Sequence, residues 1–197
     1  MNAKPDYDQL YEIAEGQAGY FTTRQAKKAG FSGERLSANV KKGRFARDAQ
    51  GVYRLNHFPG SSHEDLFVAW LRAGPSAVVS HESALSVYEL SDVIPSEVHL
   101  IVPRTASRRR TGIRQHTNQL QADEITERNG LPITTVERTI TDVIVSGLAE
   151  EHIRQAIREA LQRGLTSPTG LLQQAQRAGG KAKRIIENIL GEKCDGN

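Results

Sequence analysis

Along the first fifty residues, apolar side chains recur with the period of short α-helices. The segment YDQLYEIA, residues 7–14, has apolar side chains three and four positions apart and predicts a first helix. Thr22 or Thr23 can cap a second helix that runs to Lys28. Ser32 can cap a third helix, which runs to about residue 42 and is followed by a glycine stop.

A β-hairpin is predicted directly after the third helix. Phe45 and Val52–Leu55 are strand-like, and the turn-prone segment Arg47–Gly51 separates them. Three helices followed by a hairpin is the element order of a winged helix-turn-helix. We therefore predict such a domain for residues 1–58, with a small core that includes Leu10, Leu36 and Leu55.

A second domain is predicted for residues 63–197. The segment HFPGSS, residues 57–62, has the composition of a linker. Beyond it, strand-like runs at 98–102, 113–116 and 131–134 are interspersed with helical patterns, and Ile153–Leu161 has strong amphipathic spacing. The fold class is therefore α+β, with a mixed α/β second domain and C-terminal helices.

Composition excludes several protein classes. No apolar stretch approaches the length of a membrane span, and the N-terminus has no signal-peptide pattern, so we expect a cytoplasmic protein without membrane contact. The single cysteine, Cys194, has no second thiol with which to pair. A disulfide scaffold is therefore excluded.

Charge is distributed unevenly along the chain. Residues 22–54 contain nine Lys and Arg but only two acids, whereas residues 59–149 contain eight Arg and eleven acids. A basic module joined to a slightly acidic body indicates a protein that binds polyanions.

The third helix and the hairpin are the predicted DNA-binding elements. Small, polar and basic side chains on the outer face of a helix suit a major groove, and a basic hairpin can contact phosphates. Arg35 and Asn39 are the candidates for base contacts. The full set of predicted DNA-binding residues is Thr23, Ser32, Arg35, Ser37, Asn39, Lys41, Lys42, Arg44, Arg47 and Arg54. Solubilising charge on an exposed helix is the simpler alternative.

Three sequence blocks together resemble the AbiEi-type antitoxins. The first, YFTTRQAKKAGFSGERLSANVKKGRFARDAQGVYRL (20–55), resembles the winged-helix domain of that family. The blocks VVSHESALSVYELSDVIPSEVHLIVPR (78–104) and GLPITTVERTITDVI (130–144) resemble its second domain.

This resemblance implies the antitoxin of a type IV toxin–antitoxin, or abortive-infection, system. Its partners would be double-stranded operator DNA with inverted repeats and a nucleotidyltransferase-like toxin, neutralised directly or indirectly. The winged helix would repress the chain's own operon, and the second domain would be needed for antitoxicity. No cofactor is implied.

Motifs for catalysis are incomplete, so no catalytic or metal-binding residue is predicted. His81-Glu82-Ser83-Ala84-Leu85 lacks the second histidine of HExxH, and no lysine has an acid two positions before it, as restriction-type nucleases require. A nucleic-acid-modifying enzyme that uses the winged helix for targeting, and a regulator that is not an antitoxin, are the alternative functions.

A second basic cluster lies outside the predicted DNA-binding domain. Its arginines are Arg104, Arg108, Arg109, Arg110 and Arg114. They suit either a solvated loop or a second polyanion contact, with DNA or with RNA.

Overall fold

The computed structural model describes residues 4–191. Over this range the chain has nine α-helices and two β-sheets, which confirms the mixed α+β class. The chain divides into two compact units: Met1–Ala77 with Arg128–Leu131, and Val78–Glu127 with Pro132–Asn197. Cys194, which the sequence analysis singles out, lies outside the described residues.

The first unit contains four helices and a three-stranded antiparallel sheet of order β1-β3-β2. Its elements, in chain order, are α1 (Tyr7–Glu15), β1 (Tyr20–Thr22), α2 (Thr23–Lys28), α3 (Gly33–Lys41), β2 (Phe45–Ala49), β3 (Val52–Leu55) and α4 (Glu64–Ala73).

The predicted beginnings of α2 and α3 are confirmed. Thr22, rather than Thr23, is the N-cap of α2, and it forms a reciprocal capping box with Gln25. Ser32 caps α3 through a hydrogen bond that its hydroxyl accepts from the Arg35 backbone N–H. Side-chain caps of this kind satisfy donors that the first turn of a helix leaves unpaired.

The hairpin turn is tighter than the sequence predicts. Arg47 pairs with Tyr53 inside β2–β3, so it belongs to a strand rather than to the turn, and a register irregularity follows between Arg47 and Ala49. The turn itself is Gln50-Gly51, where Gly51 has φ +77°, a conformation that favours glycine.

Phenylalanines dominate the core of the first unit. Phe21, Phe31 and Phe45 are buried together with Leu10 and Leu36. The Phe21 and Phe45 rings meet edge to face with centroids 5.1 Å apart. The core therefore joins α1, β1, α3 and β2, and the three-residue strand β1 supplies a side chain that the sequence pattern does not reveal.

Helix α4 belongs to the first unit, so the structural boundary is later than the predicted linker at 57–62. The Phe67 ring stacks parallel to the buried Tyr20 ring at 6.3 Å, and Glu64 pairs with Arg54 at 3.1 Å. The helix begins after His63 and has no side-chain cap hydrogen bond. The boundary between the units falls after Ala77.

The second unit is built on a five-stranded mixed sheet of order β6-β5-β4-β8-β7. Strand β4 pairs antiparallel with β5 and parallel with β8, and β5 pairs parallel with β6. Its elements, in chain order, are β4 (Val78–Val79), α5 (His81–Tyr88), β5 (Val98–Ile101), β6 (Ile113–His116), β7 (Ile125–Arg128), β8 (Leu131–Thr134), α6 (Val136–Ser146), α7 (Glu150–Gln162), α8 (Pro168–Ala178) and α9 (Gly180–Gly191).

Helix α7 confirms the strongest amphipathic pattern of the sequence, because Ile153, Ala156 and Ile157 are all buried. Helix α6 is capped by Thr135, whereas the buried hydroxyl of Thr134 forms a 2.7 Å hydrogen bond with that of Thr139.

No helix in residues 4–191 combines the length and the apolar character that crossing a membrane requires.

Candidate nucleic-acid interface

Helix α2 presents three basic side chains to solvent. Arg24, Lys27 and Lys28 are all exposed, while Ala26 on the same helix is buried. The capping box fixes the start of this six-residue helix and thereby the direction of its basic face. These three residues lie in the basic run but are absent from the predicted binding set.

The end of α3 and the hairpin add four more exposed cations. Lys41, Lys42, Arg44 and Arg47 all lie on the surface. Lys41 and Lys42 also end α3, where positive charge stabilises the helix dipole. Over the described residues 22–54, seven of the nine basic side chains are therefore exposed.

The outer face of α3 carries small and polar side chains before its basic C-terminal end. Glu34, Ser37 and Ala38 are exposed, and the Ser37 hydroxyl donates to the Gly33 carbonyl at 3.0 Å. Small side chains allow a helix to approach base edges closely. Together with Lys41, this face is the part of α3 with the shape and chemistry for a groove.

Asn39 lies on the opposite face of α3, which corrects its assignment as a base-contacting residue. The residue is only 6% exposed, its amide nitrogen donates to the Arg35 carbonyl at 2.8 Å, and its Oδ1 accepts from the Tyr7 hydroxyl. Asn39 follows the core residue Leu36 by three positions and therefore shares its buried stripe.

Arg35 and Arg54 are the two basic residues of this run that are not fully exposed. The Arg35 guanidinium donates to the Gly30 carbonyl at 3.0 Å and is half-buried. Arg54 donates to the carbonyls of Phe58 and Pro59 and pairs with Glu64. Both side chains contact protein groups, so their placement does not favour the predicted DNA contacts.

Thr23 and Ser32 have local structural partners. The backbone N–H of Thr23 donates to the Gly51 carbonyl at 2.9 Å, and its hydroxyl lies 3.4 Å from the same oxygen. This pair of contacts attaches the start of α2 to the hairpin turn. Ser32 caps α3, so its hydroxyl is already engaged with a backbone donor.

The second basic cluster forms the irregular connection between β5 and β6 and the start of β6. Arg104 lies in a 3₁₀ turn, the Arg108 backbone donates to Gln115, and the Arg110 guanidinium donates to the Arg108 carbonyl. Arg104, Arg108, Arg109 and Arg114 are exposed. A second polyanion contact at this cluster therefore stays a prediction.

A polar network lies on α6 of the second unit. The Arg138 guanidinium donates to Glu124 at 2.7 Å and to Asp142 at 2.9 Å. Burial raises the pKa of Asp142 to about 6, although Arg138 opposes the shift. Burial by itself would raise the pKa of Glu124 as well. Hydrogen bonds from Gln121, Gln174 and Arg138 outweigh this effect and lower the pKa of Glu124. Glu124, Arg138, Asp142 and Gln174 line a cavity of about 190 Å³.

The second unit also brings three histidines together, which no sequence motif indicates. His81, His99 and His116 each offer a ring nitrogen, and these nitrogens all lie within 4.8 Å of one another. His81 begins α5, His99 lies in β5 and His116 ends β6. They are separated by 18 and 17 positions in the sequence, so only the sheet topology makes them neighbours.

Over the described residues, the first unit combines a basic surface on α2, the end of α3 and the hairpin with a three-stranded antiparallel sheet. Residues 8–56, from α1 to just past β3, match the family described as "Transcriptional regulator, AbiEi antitoxin". This match confirms, over those residues, the resemblance to AbiEi-type antitoxins that the sequence predicts.

Two further comparisons concern the whole chain. The structure is similar to "Crystal structure of RV2827C protein from Mycobacterium tuberculosis", with a TM-score of 0.44 and 12% sequence identity over 93% of this chain and 79% of that one. No curated protein sequence matches the chain significantly.

Proposed function

We propose that this protein is a DNA-binding antitoxin that represses its own operon. The first unit acts as a winged helix-turn-helix, in which α3 enters the major groove and the β2–β3 hairpin is the wing. The observation that supports this most strongly is the exposure of seven basic side chains on α2, the end of α3 and β2.

Phosphate attraction explains why the basic residues surround α3 rather than cover it. Duplex DNA has one negative charge per ~1.7 Å of its axis, and lysines and arginines displace its counterions. Arg24, Lys27 and Lys28 on α2 would contact one phosphate ridge, and Arg44 and Arg47 on the hairpin another. Ser37 and Lys41 would then face the base edges.

The second unit is proposed as the antitoxic part, acting against a nucleotidyltransferase-like toxin. The family match over residues 8–56 supports a regulator of the antitoxin type. The separate compact unit beyond Ala77 has its own sheet and core, so it can present a surface independent of the DNA-binding module. The exposed arginines 104, 108, 109 and 114 are candidates for contact with DNA or with an RNA bound to the toxin.

Salt-dependent binding to duplex DNA from upstream of the gene tests the repressor proposal. Fluorescence anisotropy should give an affinity that falls steeply with salt. Replacing Lys41, Lys42 and Arg47 together by Gln should weaken binding strongly and reduce the log–log salt slope by about 0.9 for each lost phosphate contact. Their exposure means that the protein should remain folded.

A charge-matched variant controls for the change in net charge. Arg158, Lys181 and Arg184 are exposed on helices of the second unit, so their replacement by Gln changes net charge equally. This variant should retain its affinity and slope. Equal weakening by both triple variants would mean that only overall charge matters, and it would overturn the assigned surface.

A further inference from the structure

We propose that His81, His99 and His116 form a binding site for a transition-metal dication, with Zn²⁺ as the best fit. The site would connect the first residue of α5 to strands β5 and β6. It is separate from the proposed DNA-binding function, since all three residues belong to the second unit.

The ligand chemistry favours this class of metal. Imidazole nitrogens suit Zn²⁺, Cu²⁺ and Ni²⁺, whereas Mg²⁺ and Ca²⁺ take oxygen ligands. A zinc ion bound by three histidines, with its fourth coordination position open to water, is a known geometry. Within the described residues the cluster of potential ligands consists of these three side chains alone, so the expected coordination is three nitrogens and a solvent molecule.

The distances require only a local adjustment. Zinc–nitrogen bonds of about 2.0–2.1 Å in a tetrahedron place ligand nitrogens about 3.3 Å apart. His116 Nε2 and His99 Nδ1 already lie 3.4 Å apart, and all three donor atoms lie within 4.8 Å. The His81 and His116 rings stack with centroids at 3.6 Å, so one of them must tilt as the metal enters.

Two buried serines position the ligands, as outer-shell groups do in metal sites. The Ser80 hydroxyl lies 2.9 Å from His81 Nδ1 and forms no side-chain cap hydrogen bond with α5. Ser83 accepts a hydrogen bond from the His99 backbone N–H at 2.9 Å. Ser80 is the N-cap residue of α5 and Ser83 lies within it, so the start of this helix contacts the His81 ring and the His99 backbone.

The backbone of His81 is in an unusual conformation for a non-glycine residue. Its φ is +52° at the first position of α5, where the ring is 3% exposed. Backbone in this region is strained and persists only when its surroundings determine it. At this position the conformation directs the ring to the other two histidines.

Neighbouring charges partly oppose a dication. Arg138 and Arg114 lie close enough to His81 for their positive charges to act on its ring. Around Arg138 the carboxylates of Glu124 and Asp142 offset this charge, and Glu97 acts on His99 with the opposite sign to Arg114. The metal must therefore gain its affinity from the nitrogen ligands rather than from net negative charge.

Metal titration of the tag-free, full-length protein tests the proposal. We expect one equivalent of Co²⁺ to give visible absorption bands of a tetrahedral site, and Zn²⁺ to displace it. X-ray absorption of the zinc form should show imidazole nitrogens at about 2.0–2.1 Å. A raised Tm with Zn²⁺ should accompany binding. Failure of the wild-type protein to bind an equivalent of either metal overturns the proposal without any variant.

Variants distinguish the cluster from other ligands of the chain. His116→Gln, at a half-exposed position, should weaken binding by more than about 100-fold, and Ser80→Ala by about 10- to 100-fold. His152→Ala and Cys194→Ser should leave binding unchanged. Retained binding in His116→Gln, or loss of binding in Cys194→Ser, would overturn the assignment. Operator binding should be unaffected throughout, which separates this test from that of the repressor proposal.

Discussion

The Tyr7 hydroxyl donates a hydrogen bond to Asn39 Oδ1 at 3.1 Å and thereby connects α1 to the buried face of α3. Asn39 also donates to the Arg35 carbonyl one turn earlier. Since both ends of its amide are used inside the protein, Asn39 contributes to stability rather than to sequence recognition.

Asn39→Ala should therefore destabilise the protein by about 1–3 kcal/mol, because it leaves a largely buried site without its hydrogen bonds. Urea denaturation measures the loss, and anisotropy with matched and scrambled duplexes measures sequence preference. Ser37→Ala, at an exposed position of the same helix, is the control and should change stability little. Lost preference at unchanged stability in Asn39→Ala would restore Asn39 as a base contact.

Lys41 is the residue of α3 that we expect to discriminate between DNA sequences. It is exposed on the outer face, whereas the Arg35 guanidinium is engaged with the Gly30 carbonyl. Lys41→Ala should reduce the preference for operator over scrambled DNA, by about 1–3 kcal/mol if it contacts a guanine edge. Arg35→Ala should leave that preference intact and lower stability. The reverse result would support the original choice of Arg35.

Arg54 should behave as a structural arginine although it belongs to the basic run. It bridges the Phe58 and Pro59 carbonyls, pairs with Glu64 and lies over the Tyr20 ring at 5.5 Å. Arg54→Ala should cost about 1–3 kcal/mol of stability while the folded protein keeps its DNA affinity.

Arg47→Ala is the matched control for Arg54, because it makes the same chemical change at an exposed position of the hairpin. It should weaken DNA binding and leave the urea midpoint nearly unchanged. Equal effects of the two variants on DNA affinity would contradict the distinction between a structural arginine and a DNA-contacting one.

The sequence predicts local structure well where one side chain determines it. Ser32 is a helix cap, and β6 and β8 have the bounds that the pattern predicts. Strand β1 was missed because three residues are too few to show a period. The polarity of Asn39 suggests a base contact, whereas its position three residues after Leu36 indicates the buried side of the helix, where the structure places it.

The histidine cluster and the Arg138 network could not be predicted, because both depend on long-range strand order. His99 and His116 become neighbours only through the parallel pairing of β5 and β6, and His81 only because β4 lies beside β5. Glu124 and Arg138 are 14 positions apart and on different elements. No local period contains this information.

The raised pKa of Asp142 predicts a pH dependence of stability. Its carboxyl titrates near 3.8 when unfolded and near 6 when folded, so between these values the folded state binds more protons. The contribution of Asp142 to the free energy of unfolding is present at low pH and falls as pH rises towards 6. The difference in urea midpoint between wild type and Asp142→Asn should therefore decrease from pH 4 to pH 6.5.

Glu124→Gln provides a comparison of opposite sign. The lowered pKa of Glu124 means that its contribution is present above the unfolded value of 4.5 and is lost as pH falls below it. The wild-type advantage over Glu124→Gln should thus increase as pH rises through this range. If the wild-type advantage changed with pH in the same direction for both variants, it would contradict the view that burial dominates at Asp142 and hydrogen bonding at Glu124.

The division of the chain predicts which fragment folds and which function each fragment retains. A fragment of residues 1–77 keeps α4, with the Phe67–Tyr20 stack and the Glu64–Arg54 pair, whereas residues 1–58 lose both. The longer fragment should therefore show the higher urea midpoint and should bind operator DNA. Because it lacks Arg128–Leu131 of the same unit, it should remain less stable than the first unit of the whole protein.

Residues 78–197 alone should neutralise the cognate toxin without repressing the promoter, since the proposed DNA-binding surface lies wholly before Ala77. Co-expression of each fragment with the toxin measures cell survival, and a promoter fusion measures repression. Circular dichroism of each purified fragment first establishes that it is folded. Rescue by a folded 1–77 fragment, with none from a folded 78–197 fragment, would contradict the assignment of antitoxicity to the second unit.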